Sequence, residues 1–173
     1  MTEPDPEFLP SFRRGGGEVA ARGLAWLGAS AREPRVLAEI LATVESERAL
    51  AELGVAADEI PNLVATAALD PLLGARVIIL PPQAAGEPSI ALAEPSTEGR
   101  VAATLARHGE GRIGRYVASP VTLDDVRARA ATAGIPISRP ADGPFGREIL
   151  VLDGPVTGPH LILCDPVAVP SPS

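Results

Sequence analysis

The stretch that decides the fold runs from Ile90 to Asp165. It opens with IALAEP (90–95), passes through STEGRVAATLARHGEG (96–111), and closes with GREILVLDGPVTGPHLILCD (146–165). Ser96 to His108 reads as a connecting helix stopped by Gly109. Ile113 to Ala118 then reads as a strand. Thr122 and Asp125 have capping-box-like spacing ahead of a helix from Leu123 to Ala133, which Gly134 ends. Three short apolar runs follow as strands, at Ile135–Ser138, Arg147–Leu152 and His160–Cys164.

Upstream, the same order of elements recurs. Gly23–Ser30 (GLAWLGAS) is an apolar run read as a first strand. Ser30 and Glu33 have the spacing of a capping box, with Pro34 tolerable in a first turn. The spacing predicts a helix to about Thr43, resuming over Glu47 to Leu53 with Gly54 as a stop. Strands are predicted at Asn62–Ala68, Ala75–Leu80 and Pro88–Ala93, with Asp70-Pro71, Gly74, Pro81-Pro82 and Gly86 at the turns. Each half therefore reads β-α-β-β-β, a repeat of pattern rather than of identity. The fold class is α+β, with two βαβββ modules forming an open, concave barrel. The boundaries read as an N-terminal arm over 1–17, a first module over 18–95, a connecting helix over 96–111, a second module over 112–167 and a tail over 168–173.

Composition bounds the function. Of 173 residues, 46% are hydrophobic but only 3% aromatic, so the core must be built from Ala, Val, Leu and Ile. The 17 Gly and 19 Pro imply many turns and short elements. A net charge of −7 without a basic patch argues against nucleic acid as a partner. One cysteine, Cys164, allows neither an intramolecular disulfide nor a thiolate zinc cage. The acidic start MTEPDPEFLP has no positive region before an apolar stretch, and no apolar run approaches the ~20 residues of a membrane helix. The expectation is a cytoplasmic protein with no membrane partner. Lysine is absent, and no phosphate-loop, nucleophile-elbow or H-E-x-x-H motif occurs.

The pieces IALAEP (90–95), HGEG (108–111), LDDVRARAATAG (123–134) and FGREILVLDGPVTGPHLILCDP (145–166), in that order and spacing, resemble the vicinal oxygen chelate superfamily. That superfamily includes glyoxalases, bleomycin-resistance proteins and methylmalonyl-CoA epimerases. The resemblance implies a glyoxalase-like barrel. In the family, four strands usually supply His, Gln and Glu to a divalent metal. Carried over, the first ligand position falls near Ala25, and the second, the Glu of an I-E-L-L-E-P motif, on Ala91. The third falls on Gly114 or Arg115, and the fourth, the Glu of an I-E-L-V-E motif, on Ile162. None of these offers the oxygen or imidazole that a hard cation needs. Glu94 and Asp165 are the nearest carboxylates, but a one-residue slip turns a side chain to the other face. No cofactor is expected.

Strand alternation predicts which side chains point inward. On the last strand, His160, Ile162 and Cys164 would face the cavity, with Leu161 and Leu163 toward the helix. His160 is either a general acid or base or a half-exposed residue at a strand start. Arg115 would either clamp a carboxylate or phosphate or pair with an acid such as Glu148 or Asp153; Tyr116 takes the opposite face. Trp26 is expected to pack under the first helix, Cys164 to act as a small buried hydrophobe, and His108 to favour a helix C-terminus. The leading reading is a metal-independent, glyoxalase-like protein binding a small organic molecule in a cavity lined by Ala25, Ala91, Arg115, Ile162 and Cys164. The alternatives are an isomerase- or lyase-type enzyme using His160 or Arg115, and a non-catalytic dimerisation scaffold. A homodimer is what the resemblance implies.

Overall fold

The computed structural model of the chain describes residues 24–28 and 34–165. Eight strands form one sheet: β1 (Arg35–Ala42), β2 (Ala68–Asp70), β3 (Ala75–Leu80), β4 (Ser89–Pro95), β5 (Gly111–Ala118), β6 (Ala141–Gly143), β7 (Gly146–Val151) and β8 (His160–Cys164). Among the described residues, four α-helices with stated bounds accompany them: α1 (Ser46–Glu52), α2 (Ile60–Ala65), α3 (Arg100–His108) and α4 (Leu123–Ala133). The strand order is β2-β3-β4-β1-β5-β8-β7-β6. It is a mirrored pair of quartets. In each, the first strand runs parallel to the last, and β1 and β5 join the quartets antiparallel. The two βαβββ modules of the sequence reading are present, and their sheet curls into a nearly closed barrel.

The first module departs from its predicted elements. The described part of the predicted first strand is a 3-10 turn, Ala25–Leu27. The strand is instead Arg35–Ala42, where a helix was predicted; Ser30 and Glu33 lie outside the described residues. Leu, Ala and Glu favour helices locally, but this segment lies between β4 and β5 in the middle of the sheet. There Ala38, Glu39, Ile40 and Ala42 are buried, and tertiary pairing overrides propensity. The predicted strand Asn62–Ala68 is mostly α2, with Pro61 in its first turn, where a missing N–H costs nothing. Only Ala68–Asp70 is extended.

The second module follows its sequence signals closely. The Thr122 hydroxyl accepts the Asp125 amide at 3.2 Å, α4 ends at Ala133, and Gly134 takes the left-handed conformation at φ 70°. The one displacement is the strand predicted at Ile135–Ser138. There only Ile137 makes an isolated bridge, to Val151, and the paired strand lies further on, at β6.

Helices cover the outside of the curve. Leu161 and Leu163 join Val117, Ile149, Leu123 and Val126 beneath α4. Leu41, Leu80 and Leu92 pack beneath α1 and α2. Trp26 packs with the α4 cluster rather than the first module's helices, and the Arg129 guanidinium ties its turn down by donating to the Leu27 carbonyl. Among the described residues, no helix is long and apolar enough to cross a membrane.

Candidate functional site

The concave face holds Ala38, Ile40 and Ala42 of β1, Ala75 and Val77 of β3, and Ala91 and Ala93 of β4. From the other module come Ile113 and Tyr116 of β5, Leu150 of β7, and Ile162 and Cys164 of β8. Helix α3 presses Val101 and Leu105 into the same cluster. Ala91, Tyr116, Ile162 and Cys164 have no exposed surface.

Tyr116 defines the curvature. Its hydroxyl donates to Asp70 Oδ2, although β2 and β5 stand four places apart in the sheet order. In a flat sheet they would lie about 19 Å apart. The other Asp70 oxygen accepts the Leu72 and Leu73 amides at 2.8 and 3.0 Å. Burial raises the Asp70 carboxyl above its ordinary range against these hydrogen bonds. Burial, then the Asp70 charge, holds the Tyr116 phenol well above its usual value. The ring packs against Phe145, with centroids 5.0 Å apart.

Glu148 faces the same interior, on β7 opposite Cys164. Its Oε1 accepts the Phe145 amide at 2.8 Å, while its Oε2 is buried without a hydrogen-bond partner. Burial first, then the nearby Asp70 and Asp142 charges, pushes its pKa up to about 8. At neutral pH it is a carboxylic acid whose O–H has nothing to donate to. Burial, then Glu148 and Asp70, raises the Cys164 thiol, so the sulfur stays protonated and inert. Sequence reading named Glu148 only as a possible partner for Arg115. The alternation of Glu148 and Leu150 against Ile149 and Val151 was the signal that turned it inward.

His160 is buried rather than half exposed, beneath α3. Its Nε2 lies 3.4 Å from Thr104 Oγ1, whose own proton goes to the Arg100 carbonyl at 2.8 Å. The imidazole therefore donates from Nε2. Burial, helped by the Arg100 charge, lowers its pKa to about 4, so it is neutral at physiological pH. Arg115 lies on the face opposite Tyr116, its Nε 2.9 Å from Glu39 Oε1 across the β1–β5 seam. Gly114 lies against the His160 carbonyl, where a Cβ would collide. Ala25 is exposed in its 3-10 turn on the α4 side, outside the strands of the sheet. The structure thus brings together Ala91, Ile162 and Cys164, with Asp70, Tyr116 and Glu148 beside them. Arg115 and Ala25 stand apart.

Paired βαβββ modules in one curved sheet define a glyoxalase-like fold, and solved structures share it. Methylmalonyl-CoA epimerase from Mycobacterium tuberculosis is 18% identical, covering 82% of this chain and 95% of its own, at a TM-score of 0.59. A methylmalonyl-CoA epimerase in complex with methylmalonyl-CoA and NH4+ is 20% identical, covering 82% of this chain and 100% of its own, at 0.58. A hypothetical protein from Bacillus halodurans C-125 is 17% identical, covering 78% and 95%, at 0.54. No protein-family model and no curated protein sequence matches the chain.

Proposed function

We propose that this chain is a glyoxalase-like protein that binds a small organic molecule against the inner face of its second module without a metal ion, with the Glu148 carboxyl as hydrogen-bond donor. The observation that carries this reading is the orphaned Glu148 Oε2. A buried polar atom left unmade costs about 1–3 kcal/mol, and a ligand acceptor would recover it. The surroundings suit an uncharged or weakly polar molecule, being apolar, Phe145 included, apart from Tyr116, Asp70 and Cys164. Gly143 stands against the orphaned oxygen, and it and the next two residues, Pro144 and Phe145, are only half-buried, so a ligand would enter at the β6–β7 turn.

The donor chemistry supports the absence of a metal from this mechanism. Inward positions on β1, β4 and β8 carry Ala38, Ile40, Ala42, Ala91, Ala93 and Ile162; the β8 imidazole, His160, turns its Nε2 to Thr104, and Cys164 is a protonated thiol. Among the described residues, no three His, Cys, Asp or Glu side chains are placed to hold an ion. Thermal-shift screening of the purified chain tests the proposal, with hits re-measured on Glu148→Leu. Ligands that stabilise the parent and lose their effect in the variant support it. Stoichiometric, sub-micromolar binding of zinc, nickel, cobalt or manganese would overturn its metal-free part.

A second reading, a scaffold without a ligand, is favoured by the complete enclosure of Ala91, Tyr116, Ile162 and Cys164. A screen in which no compound stabilises the parent more than Glu148→Leu would select it.

A further inference from the structure

A recess of about 460 Å³ opens on the outer side of the second module, lined by Arg127, Arg139, Pro140, Ala141, Asp142 and Arg147. We propose that it binds a phosphate group, free or carried by a small molecule. Three arginines line it, from α4, from the segment before β6, and from β7, beside a single carboxylate, Asp142, although the chain's net charge is −7. All three arginines are exposed.

Their pairing within the protein is loose. Asp124 Oδ1 lies 3.9 Å from Arg127 Nη1 and 3.6 Å from Arg147 Nη2, both beyond hydrogen-bond length. One exposed carboxylate oxygen thus stands between two arginines and satisfies neither. Among the described residues, no carboxylate pairs with Arg139. Three planar forks suit a tetrahedral oxyanion, whose several oxygens can each accept, better than they suit a single carboxylate. Asp124 then acts as the internal anion that the ligand displaces. Pro140 and Ala141 give the carbon part of a phosphomonoester an apolar wall. Sequence reading missed the cluster because the three residues are spread over twenty positions with no basic run between them. The site does not depend on Glu148, whose side chain is on the inner face of β7.

The test titrates the full chain with inorganic phosphate and with glycerol 3-phosphate at low ionic strength, followed by amide NMR. Saturable shifts at Arg127, Arg139, Ala141 and Arg147, with a Kd of about 1 mM or tighter for at least one of the two, are expected. Arg139→Gln should weaken binding roughly tenfold, as loss of one charge-assisted contact does, while Arg107→Gln on α3 should leave it unchanged. These arginines are exposed, so the variants should melt like the parent. Non-saturating shifts with both probes, or undiminished binding by Arg139→Gln, would overturn the proposal.

Discussion

Replacing Glu148 by Gln should change how stability depends on pH rather than simply lower it. In the folded chain this carboxyl titrates at about 8, against an ordinary 4.5 once the chain unfolds. Between those values the native state holds one proton more than the unfolded state, so stability falls as pH rises. The contribution is fully present below pH 4.5, is lost progressively as pH rises from there, and is gone above about 8. His160 acts with the opposite sign. Its pKa is lowered to about 4 from 6.5, so its unfolded state holds the extra proton and stability rises with pH, but only up to about 6.5. Above 6.5 the imidazole contribution levels off, so the window from 6.5 to 8 is governed mainly by the carboxyl. One proton is worth about 1.4 kcal/mol per pH unit, and with the slope flattening near 8 the loss across the window is roughly 1.5 kcal/mol. Gln keeps the acceptor for the Phe145 amide and a donor in place of the acid O–H, but it cannot ionise. Urea unfolding at pH 6.5, 7.0, 7.5 and 8.0, followed by circular dichroism, should show the parent losing that amount and Glu148→Gln losing much less. Subtracting the variant removes Asp70, whose raised pKa slopes the same way in both proteins. Parallel pH profiles would mean that Glu148 is solvated or already ionised, and the buried-acid argument would fail.

Three further outcomes follow from the same geometry. Tyr116→Phe should cost about 1–3 kcal/mol in denaturant unfolding, because Asp70 keeps its two amides but loses its only phenol donor; an unchanged midpoint would show that the interior hydrogen bond contributes nothing. His160 ring protons should titrate near 4 by NMR, and a midpoint near 6.5 would place the ring in water rather than under α3. Thr122→Ala should lower stability by about 1 kcal/mol through loss of the α4 cap, with Thr122→Ser restoring most of it.

How far the sequence disclosed the fold depended on whether local signals and burial agreed. In the second module they agreed: Thr122, Gly134 and the alternating run of β8 each fix a boundary or a face by short-range chemistry, and the structure follows them. In the first module they conflicted. RVLAEILA carries good helix formers at every position but the β-branched Val36 and Ile40, and nothing within it announces a strand buried on both faces. That outcome is set by β4 and β5, 51 or more residues away in the chain for every one of its pairs. The same displacement moved the carried-over first position onto Ala25, outside the sheet. The candidate site was legible in its apolar part, since alternation alone turns Ile162 and Cys164 inward. Its polar part was not, because Asp70 reads as a turn residue before Pro71, and only the curl of the sheet brings it to Tyr116.

That curl also explains how a sheet with mirrored halves encloses unlike contents. The first module lines the interior largely with Ala38, Ala42, Ala75, Ala91 and Ala93; the second contributes Tyr116, Phe145, Leu150 and Ile162. Small side chains on one half leave the volume that the large ones of the other half occupy, which is how a core with 3% aromatic residues can still close around a Tyr. The asymmetry goes with the two buried interior carboxyls, Asp70 on β2 and Glu148 on β7, lying toward the edges that close the barrel. Asp70 reaches Tyr116 from β2, and β2 in turn meets β6. Carboxyl chemistry in this barrel is therefore concentrated where the two edge strands approach, beside the β6–β7 turn, and not at the midline where β1, β4, β5 and β8 meet. The midline offers Ala and Ile with the Tyr116 phenol, the Cys164 thiol and the neutral His160 imidazole; the closing edge offers Glu148, an acid with one oxygen left unpaired.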